Sequence, residues 1–342
     1  MNILLTGGTG YIGSHTAVEL IKTNHNITLL DNLSNSNESV TRDIQKITNK
    51  PNHFVKADIR DTARLQETLE KNNIEAVIHF AGLKSVAESA ENPLAYYAHN
   101  VQGTISLLEA MSASRVKTLV FSSSATVYGQ PQYLPIDEDH PTNANNPYGR
   151  TKLHIEEILK DISSADSDWR IACLRYFNPV GAHESGLIGE NPKGVPNNLM
   201  PYIAQVATEI RPELKIYGDD YPTDDGIGVR DYVHAVDLAK GHMAALEFLR
   251  ANLGWHAFNL GTGRGSSVFE MLRAFENATG CKVPYKIVPR RKGDVAASYA
   301  RAEKAMKLLN WVAERTVVEM CASSWQFQRA KSGGQKNQTC NG

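Results

Sequence analysis

Short apolar runs alternate with helical repeats through the first half of the chain. Asn2–Thr6 opens the series with Ile3, Leu4 and Leu5 in succession, the pattern of a strand buried on both faces. Comparable runs follow at Asn26–Asp31, His53–Ala57, Ala76–Phe80, Thr118–Ser122 and Arg170–Tyr176. Between them, helical periodicity predicts helices over Tyr11–Thr23, Thr62–Lys71, Pro93–Ser112 and Pro147–Ile162. Pro93 suits the first position of its helix. Strands alternating with helices predict an α/β fold, a Rossmann-type doubly wound parallel sheet, over residues 1–177.

The texture changes after Phe177. Asn178–Asn198 is rich in Gly, Pro and Asn, which predicts ordered loops. Shorter elements follow. A late apolar run at Ala257–Leu260 predicts a strand, near residues 256–261, that returns to the first sheet. The second domain, residues 178–330, is therefore expected to be a smaller, interleaved α/β unit. From Lys331 to Gly342 Cys340 is the one apolar residue, and residues 331–342 are expected to be a tail without fixed structure.

Composition narrows the class. The chain has 342 residues, 42% of them hydrophobic, enough for one sizeable core or two. Its formal net charge of −1 gives no electrostatic footprint for nucleic acid or anionic lipid. No apolar run approaches the ~20 residues that span a bilayer. With a strand directly at the N-terminus, no signal peptide is expected. Cys173, Cys281, Cys321 and Cys340 are far apart, with no Cys-x-x-Cys and no His cluster at zinc spacing. They are expected to be free thiols in a reducing cytoplasm, with no bound metal.

Candidate chemistry starts at Gly7-x-x-Gly10-x-x-Gly13, between a strand and a helix. Glycine lets backbone N–H groups approach a pyrophosphate, and the helix N-terminus stabilises its charge. Asp31 ends the second strand, where a carboxylate accepts hydrogen bonds from a ribose and repels a 2′-phosphate, favouring NAD over NADP. Asp58 reads either as an adenine contact or as the cap of the next helix. His79-Phe80-Ala81-Gly82 ends the fourth strand at the carboxyl edge, where open sheets bind ligands. His79 itself reads as a strand residue satisfied by a hydrogen bond. Tyr148 and Lys152 lie one turn apart on a helix face. The lysine cation is expected to lower the phenol pKa from about 10 toward neutrality, making a general base. Such a base beside a nicotinamide ring implies alcohol oxidation.

Longer motifs sharpen this reading. Thr6-Gly7-Gly8-Thr9-Gly10-Tyr11-Ile12-Gly13, Phe121-Ser122-Ser123-Ser124-Ala125-Thr126 and Pro147-Tyr148-Gly149-Arg150-Thr151-Lys152 stand in order. Asn178-Pro179-Val180-Gly181, Gly228-Val229-Arg230-Asp231-Tyr232 and Arg290-Arg291-Lys292-Gly293-Asp294 follow. Together, over roughly residues 1–328, the chain resembles the UDP-glucose 4-epimerases of the extended short-chain dehydrogenase/reductase family. The resemblance implies reversible conversion of UDP-galactose and UDP-glucose with tightly held NAD. It also implies a cytoplasmic homodimer joined by the helices containing Tyr97–Met111 and Tyr148–Ile158.

The same resemblance implies residue roles. Tyr148, Lys152 and Ser124 would be catalytic. The cofactor would be lined by Gly7, Gly10, Tyr11, Ile12 and Gly13, then by Asp31, Asn32, Asp58 and Ile59. Phe80, Ala81, Lys84, Asn100, Ser122, Tyr148, Lys152 and Phe177 would complete that site. The UDP-sugar would meet Lys84, Ser124, Thr126, Tyr148, Asn178, Asn198 and Leu199. Tyr217, Arg230, Tyr232, Arg291, Asp294 and Ser298 would hold its other side. Arginine suits a diphosphate because its planar fork binds two oxygens at once.

Two rivals and three departures complete the picture. Related dehydratases carry an Asp-Glu pair where this chain has Ala125-Thr126, so elimination of water lacks its acid and base. A dinucleotide-sensing protein without activity has no use for an activated phenol. His99 replaces an asparagine common in relatives, and Arg301 replaces an aspartate or asparagine. Ser298 stands where a tyrosine goes with sugars that lack an N-acetyl group, so room at C2 is expected unless Tyr299 fills it.

Overall fold

A computed structural model describes residues 1–291 and 293–332. The tail 333–342 with Cys340, and Lys292 of the last motif, lie outside the described residues. The first half forms β1 (Asn2–Thr6), α1 (Tyr11–Lys22), β2 (Asn26–Asp31), α2 (Ser39–Thr48), β3 (His53–Lys56), α3 (Thr62–Lys71) and β4 (Ala76–His79). It continues with α4 (Val86–Glu91), α5 (Pro93–Tyr96), α6 (Gly103–Ala113), β5 (Thr118–Ser124), α7 (Pro147–Ala165) and β6 (Arg170–Tyr176). The single helix expected over Pro93–Ser112 is interrupted by a wider, π-helical stretch at Tyr97–Gln102. There the buried Asn100 turns its amide outward from the helix. Its Oδ1 accepts from the Leu83 nitrogen at 2.7 Å, and its Nδ2 donates to the Leu83 carbonyl and to Thr151 Oγ1, each at 3.0 Å. Such bulges recur at functional sites. Helix α2 lays Val40, Ile44 and Ile47 on the core, whereas the short α4 carries little apolar signal, with Ser89 its buried residue.

The second half forms β7 (Asn178–Val180), α8 (Leu199–Ala207), β8 (Leu214–Tyr217), β9 (Val229–His234), α9 (Ala235–Leu249) and β10 (Gly254–Leu260). Then come β11 (Gly265–Ser267), α10 (Val268–Thr279), β12 (Tyr285–Val288), β13 (Ala297–Ser298), α11 (Glu303–Leu309) and α12 (Val317–Lys331). Helix α12 starts on a reciprocal cap between Thr316 and Glu319. It runs to Lys331, so the expected unstructured tail is corrected at its first residue by this helix.

Seven parallel strands make the main sheet, in the order β10-β6-β5-β4-β1-β2-β3. Successive residues of β1 face opposite sides. Ile3 and Leu5 pack with Ala17, Leu238 and Leu246 of α1 and α9, while Leu4 packs with Leu65, Leu107 and Leu159 of α3, α6 and α7. Strand β10, contributed late, pairs with β6 from Gly254 opposite Arg170 to Leu260 opposite Tyr176. A separate core containing Met200, Ile203, Ile216, Phe275 and Met320 joins α8, α10 and α12 to the small sheets.

Cys173 and Cys321 are free and buried, but Cys281 is disulfide-bonded. The expectation of four free thiols therefore fails at Cys281, whose pairing the spacing of cysteines along the chain does not reveal. Among the described residues, no helix is long and apolar enough to cross a membrane, and no three His, Cys, Asp or Glu gather as metal ligands.

Candidate active site

The glycine turn is built by close approach. Gly7 has φ +67°, and a Cβ there would stand 2.7 Å from the Ala81 nitrogen. A Cβ on Gly13 would stand 2.4 Å from the Gly7 carbonyl oxygen. Gly10 caps α1 with no side chain, which leaves the first N–H groups of the helix, including those of Tyr11 and Ile12, for an anion. The buried Asp31 carboxylate closes the turn, accepting from the Leu33 nitrogen and Ser36 Oγ at 2.9 Å and from the Thr9 nitrogen at 3.3 Å. This concave, backbone-lined cradle with a carboxylate at its rim fits NAD.

Neighbouring loops extend the cradle. Asn32 Nδ2 donates to Asp58 Oδ2 at 3.0 Å. The Arg60 guanidinium, bonded twice to Asp58, holds that carboxyl well below the usual range. Asp58 does not cap the next helix: Asp61 does, accepting from the Arg64 nitrogen at 3.0 Å, because it is the residue directly before Thr62. Ile59 packs where a Gly103 Cβ would lie. Phe80 and Ala81 follow β4, with the Phe80 nitrogen bonded to the Thr6 carbonyl. His79 lies between Thr6 Oγ1 at 2.6 Å and Thr104 Oγ1 at 3.0 Å, and burial pushes its pKa down to about 3. It is a neutral, satisfied strand residue.

The candidate base stands at the start of α7. Asn146 caps this helix by accepting from the Gly149 nitrogen at 2.8 Å, and Pro147 occupies its first position. Tyr148, Lys152 and Glu156 then follow at intervals of four along one face. Lys152 Nζ donates to the Ser122 carbonyl at 2.7 Å and lies 4.8 Å from the Phe121 ring centre. Burial pushes its pKa down to about 8, against an upward pull from Glu156.

The phenol does not behave as expected. Burial raises the Tyr148 pKa, and the opposing pull comes from a hydrogen bond with Ser124. Desolvation of the phenolate is the larger effect, and the Ser124 bond offsets only part of it. Ser124 Oγ also accepts from the Thr126 nitrogen at 3.2 Å and Thr126 Oγ1 at 3.0 Å, so two hydroxyls sit together beside the base. Phe177 is buried just beyond β6, with its nitrogen bonded to the Leu260 carbonyl.

Beneath Lys152 runs a buried ionic network that spacing alone does not reveal. Glu156 accepts from Ser123 Oγ at 2.5 Å and from Arg175 NH2 at 2.6 Å. Arg175 also donates to the Tyr128 hydroxyl at 2.9 Å, which donates to Asn259 Oδ1 at 2.6 Å. Helix α7 is thereby tied to β5, β6 and β10.

The second domain supplies the opposite wall. Strand pairing sets Asn178 beside Tyr232 and Ser298 beside Arg230. Arg291 Nε donates to Asp294 Oδ2 at 3.0 Å, and its guanidinium lies 4.5 Å from the Tyr217 ring centre. Burial pushes the Tyr232 phenol up to about 12, with Arg230 and Arg291 pulling it down, so the three form one neighbourhood. Asn145 Nδ2, just before α7, reaches the Gly293 carbonyl at 3.4 Å and joins this wall to the base. Asn198 and Leu199 begin α8.

Glu190 is the residue that sequence reasoning missed. Lys84 Nζ and Asn198 Nδ2 both donate to its Oε1, each at 2.7 Å. The bonds join positions far apart in the chain, so no periodicity marks them. Tyr299 packs its ring against β11, where a Gly265 Cβ would lie 3.2 Å from its Cδ1. Ser298 is the last residue of β13, and Tyr299 follows it outside the strand. His99 Nδ1 pairs with the Ala95 carbonyl at 2.9 Å, one helical turn back. Arg301 reaches Asp137 Oδ2 at 3.3 Å and so braces the loop before α7.

Comparison with known proteins agrees with this geometry. Residues 3–261 match the model of the NAD dependent epimerase/dehydratase family. A UDP-glucose 4-epimerase of Bacillus subtilis is 54% identical, the match covering 98% of this chain and 99% of that one. The crystal structure of UDP-glucose-4-epimerase from Stenotrophomonas maltophila, with bound NAD and formylated UDP-arabinopyranose, superposes with a TM-score of 0.96 at 52% identity, covering 98% of this chain and 99% of that one. The enzyme of the same name from Bifidobacterium longum, in complex with NAD+ and UDP, gives 0.95 at 50% identity, covering 98% and 100%.

Proposed function

Since the chain belongs to the NAD dependent epimerase/dehydratase family, we propose that it interconverts UDP-glucose and UDP-galactose by inverting C4 of the sugar. The observation that carries this reading is Tyr148, beside the Ser124 and Thr126 hydroxyls and one turn from Lys152, at the carboxyl edge of the sheet. The N–H groups at Tyr11, Ile12 and Gly13 would hold the pyrophosphate of NAD, and Asp31 its adenosine ribose; when bound, NAD would supply reversible hydride acceptance. Residues 1–177 with α9, β10 and α11 form the NAD-binding domain, and the rest of residues 178–330 forms the UDP-sugar domain.

Tyr148 removes the proton of the sugar 4-hydroxyl, directly or through Ser124. The Ser124 hydrogen bond opposes the burial that raises the phenol pKa, and Lys152, held by the Ser122 carbonyl, is the cation one turn along the same helix face. Arg230 and Arg291 grip the diphosphate while the 4-keto pyranose turns over. Tyr217 packs near the uracil, and Asp294 holds ribose hydroxyls. Binding energy from the nucleotide retains the reactive sugar through that turn. Tyr148 then returns the proton, and no net redox change results. The lack of a carboxylate at Ala125-Thr126 speaks against a dehydratase. The enzyme works as a cytoplasmic homodimer through the helices containing Tyr97–Met111 and Tyr148–Ile158. Purified protein given UDP-glucose and no added NAD is expected to form UDP-galactose without accumulating NADH. Steady NADH production would overturn the reading.

A second substrate class follows from Ser298. The Tyr299 ring packs against β11, and the small Ser298 pairs with Arg230, which supports room at C2 of the sugar. The enzyme therefore also epimerises UDP-N-acetylglucosamine and UDP-N-acetylgalactosamine. Ser298→Tyr is expected to suppress turnover of the N-acetylated sugars selectively, since overfilling a packed pocket costs ~1–3 kcal/mol. Equal loss on both substrate pairs would refute it.

A further inference from the structure

Glu190 lies where the two domains meet, on the loop between β7 and α8, with its side chain only 10% exposed. Its Oε1 accepts from Lys84 Nζ and from Asn198 Nδ2, each at 2.7 Å. Lys84 belongs to the loop after β4, on the cofactor side. Asn198 precedes α8, on the sugar-nucleotide side. Lys84 Nζ also stands 6.0 Å from the ring centre of Tyr11, whose phenol is pushed further up by the Glu190 charge and donates to the Gly181 carbonyl at 2.6 Å. One carboxylate oxygen thus ties together residues assigned to both ligands.

This placement is electrostatically expensive. A carboxylate near a bound diphosphate repels it, and the Lys84 side chain is itself 48% exposed, so Coulomb attraction to Glu190 is weakened by solvent. What Glu190 provides is order. A free lysine loses rotamer freedom when a ligand immobilises it, whereas one already held loses little. We propose that Glu190 is a positioning residue, which sets Lys84 and Asn198 in place for the nucleotide sugar before it arrives. The role rests on the UDP-sugar reading of the site. A plain interdomain strap would make the same contacts, but its removal would lower stability without changing ligand affinity.

The test uses the full chain with NAD bound, and reads both turnover and binding. Glu190→Ala is expected to raise KM for UDP-glucose at least tenfold, with kcat within about threefold and NAD content per chain unchanged. Glu190→Gln keeps an acceptor for Asn198 but loses the ion pair, so a smaller rise in KM is expected. In a Lys84→Met background, Glu190→Gln should add little, because the two residues act as a unit. Binding of UDP-glucose by calorimetry, in protein also carrying Tyr148→Phe, separates affinity from turnover. A parent that binds UDP-glucose without epimerising it would defeat the catalytic reading and leave Glu190 to be judged on affinity. A parent that binds no UDP-glucose would defeat both. Affinity unchanged in Glu190→Gln, with or without a fall in Tm, would overturn the positioning role, as would tighter binding. Should Glu190→Ala fail to fold, Glu190→Gln decides alone.

Discussion

The helix that carries Tyr148 and the loop that carries Glu190 both hold polar atoms still, by different means. In α7 the backbone does most of the work. An Asn146 cap fixes the start, and the helical repeat delivers Tyr148, Lys152 and Glu156 to one buried face. Around Glu190 no repeat exists. Residues 181–188 close a local turn, the His183 nitrogen bonding the Ile188 carbonyl, and from Glu190 on the segment is placed by side-chain bonds to distant partners. Glu190 reaches Lys84, while Lys193 Nζ reaches the Leu33 and Ser34 carbonyls at 2.8 and 3.0 Å. The first arrangement is rigid because it is cooperative. The second is adjustable because each contact stands largely alone.

Acid should have the largest effect, and it acts on the framework that both regions stand on. His79 in β4 and His15 in α1 are buried and neutral, pushed by burial to about 3 and about 4 from an ordinary 6.5. As pH falls below about 6.5 the unfolded chain takes up protons that these two refuse, so stability declines from there until the folded values are passed. Tm measured from pH 7 to pH 4 should fall steadily, and a flat profile would contradict the buried neutral assignment. Next in size is the buried pair. Glu156→Gln strips the carboxylate from a guanidinium whose side chain is 4% exposed. A loss of roughly 3–5 kcal/mol in denaturant unfolding is expected.

Tyr148→Phe keeps the packing and removes the ionisable group. Turnover of UDP-glucose should drop at least ~10²-fold, the low end for a positioned base, with NAD retained. Near-normal turnover would remove Tyr148 from the mechanism. The smallest stability effect belongs to the loop. Lys84→Met breaks a half-exposed pair and should cost no more than about 1 kcal/mol in unfolding. A loss as large as that from Glu156→Gln would erase the contrast between the two regions.

What could be read in advance follows the same division. Strands β1, β2 and β6 stand at the residues their apolar runs mark, because burial on both faces leaves an unbroken signal. Strand β5 runs on to Ser124, past its expected end at Ser122, since Ser123 and Ser124 pair with Arg175 and Tyr176. Hydroxyl side chains give no apolar cue for that extension. Tyr148 and Lys152 were legible from their interval of four, but the direction of the phenol shift was not. It depends on how deeply the fold buries the ring and on the bond from Ser124. Glu190 and Arg175 were not legible as site residues, because their partners are set by tertiary packing.

The position of β10 also governs how the chain is made. Strand β6 ends at Tyr176, yet its outer neighbour is not complete until Leu260 has been added. A growing chain lengthens at ~5–20 residues per second, so the interval lasts on the order of ten seconds. During it the outer edge of β6 offers unpaired N–H and C=O groups to any strand nearby. Ribosomes spaced along one message bring other copies at the same stage close together. The late strand therefore sets the length of a vulnerable period in synthesis, one that occupancy of the finished site by ligand does nothing to shorten.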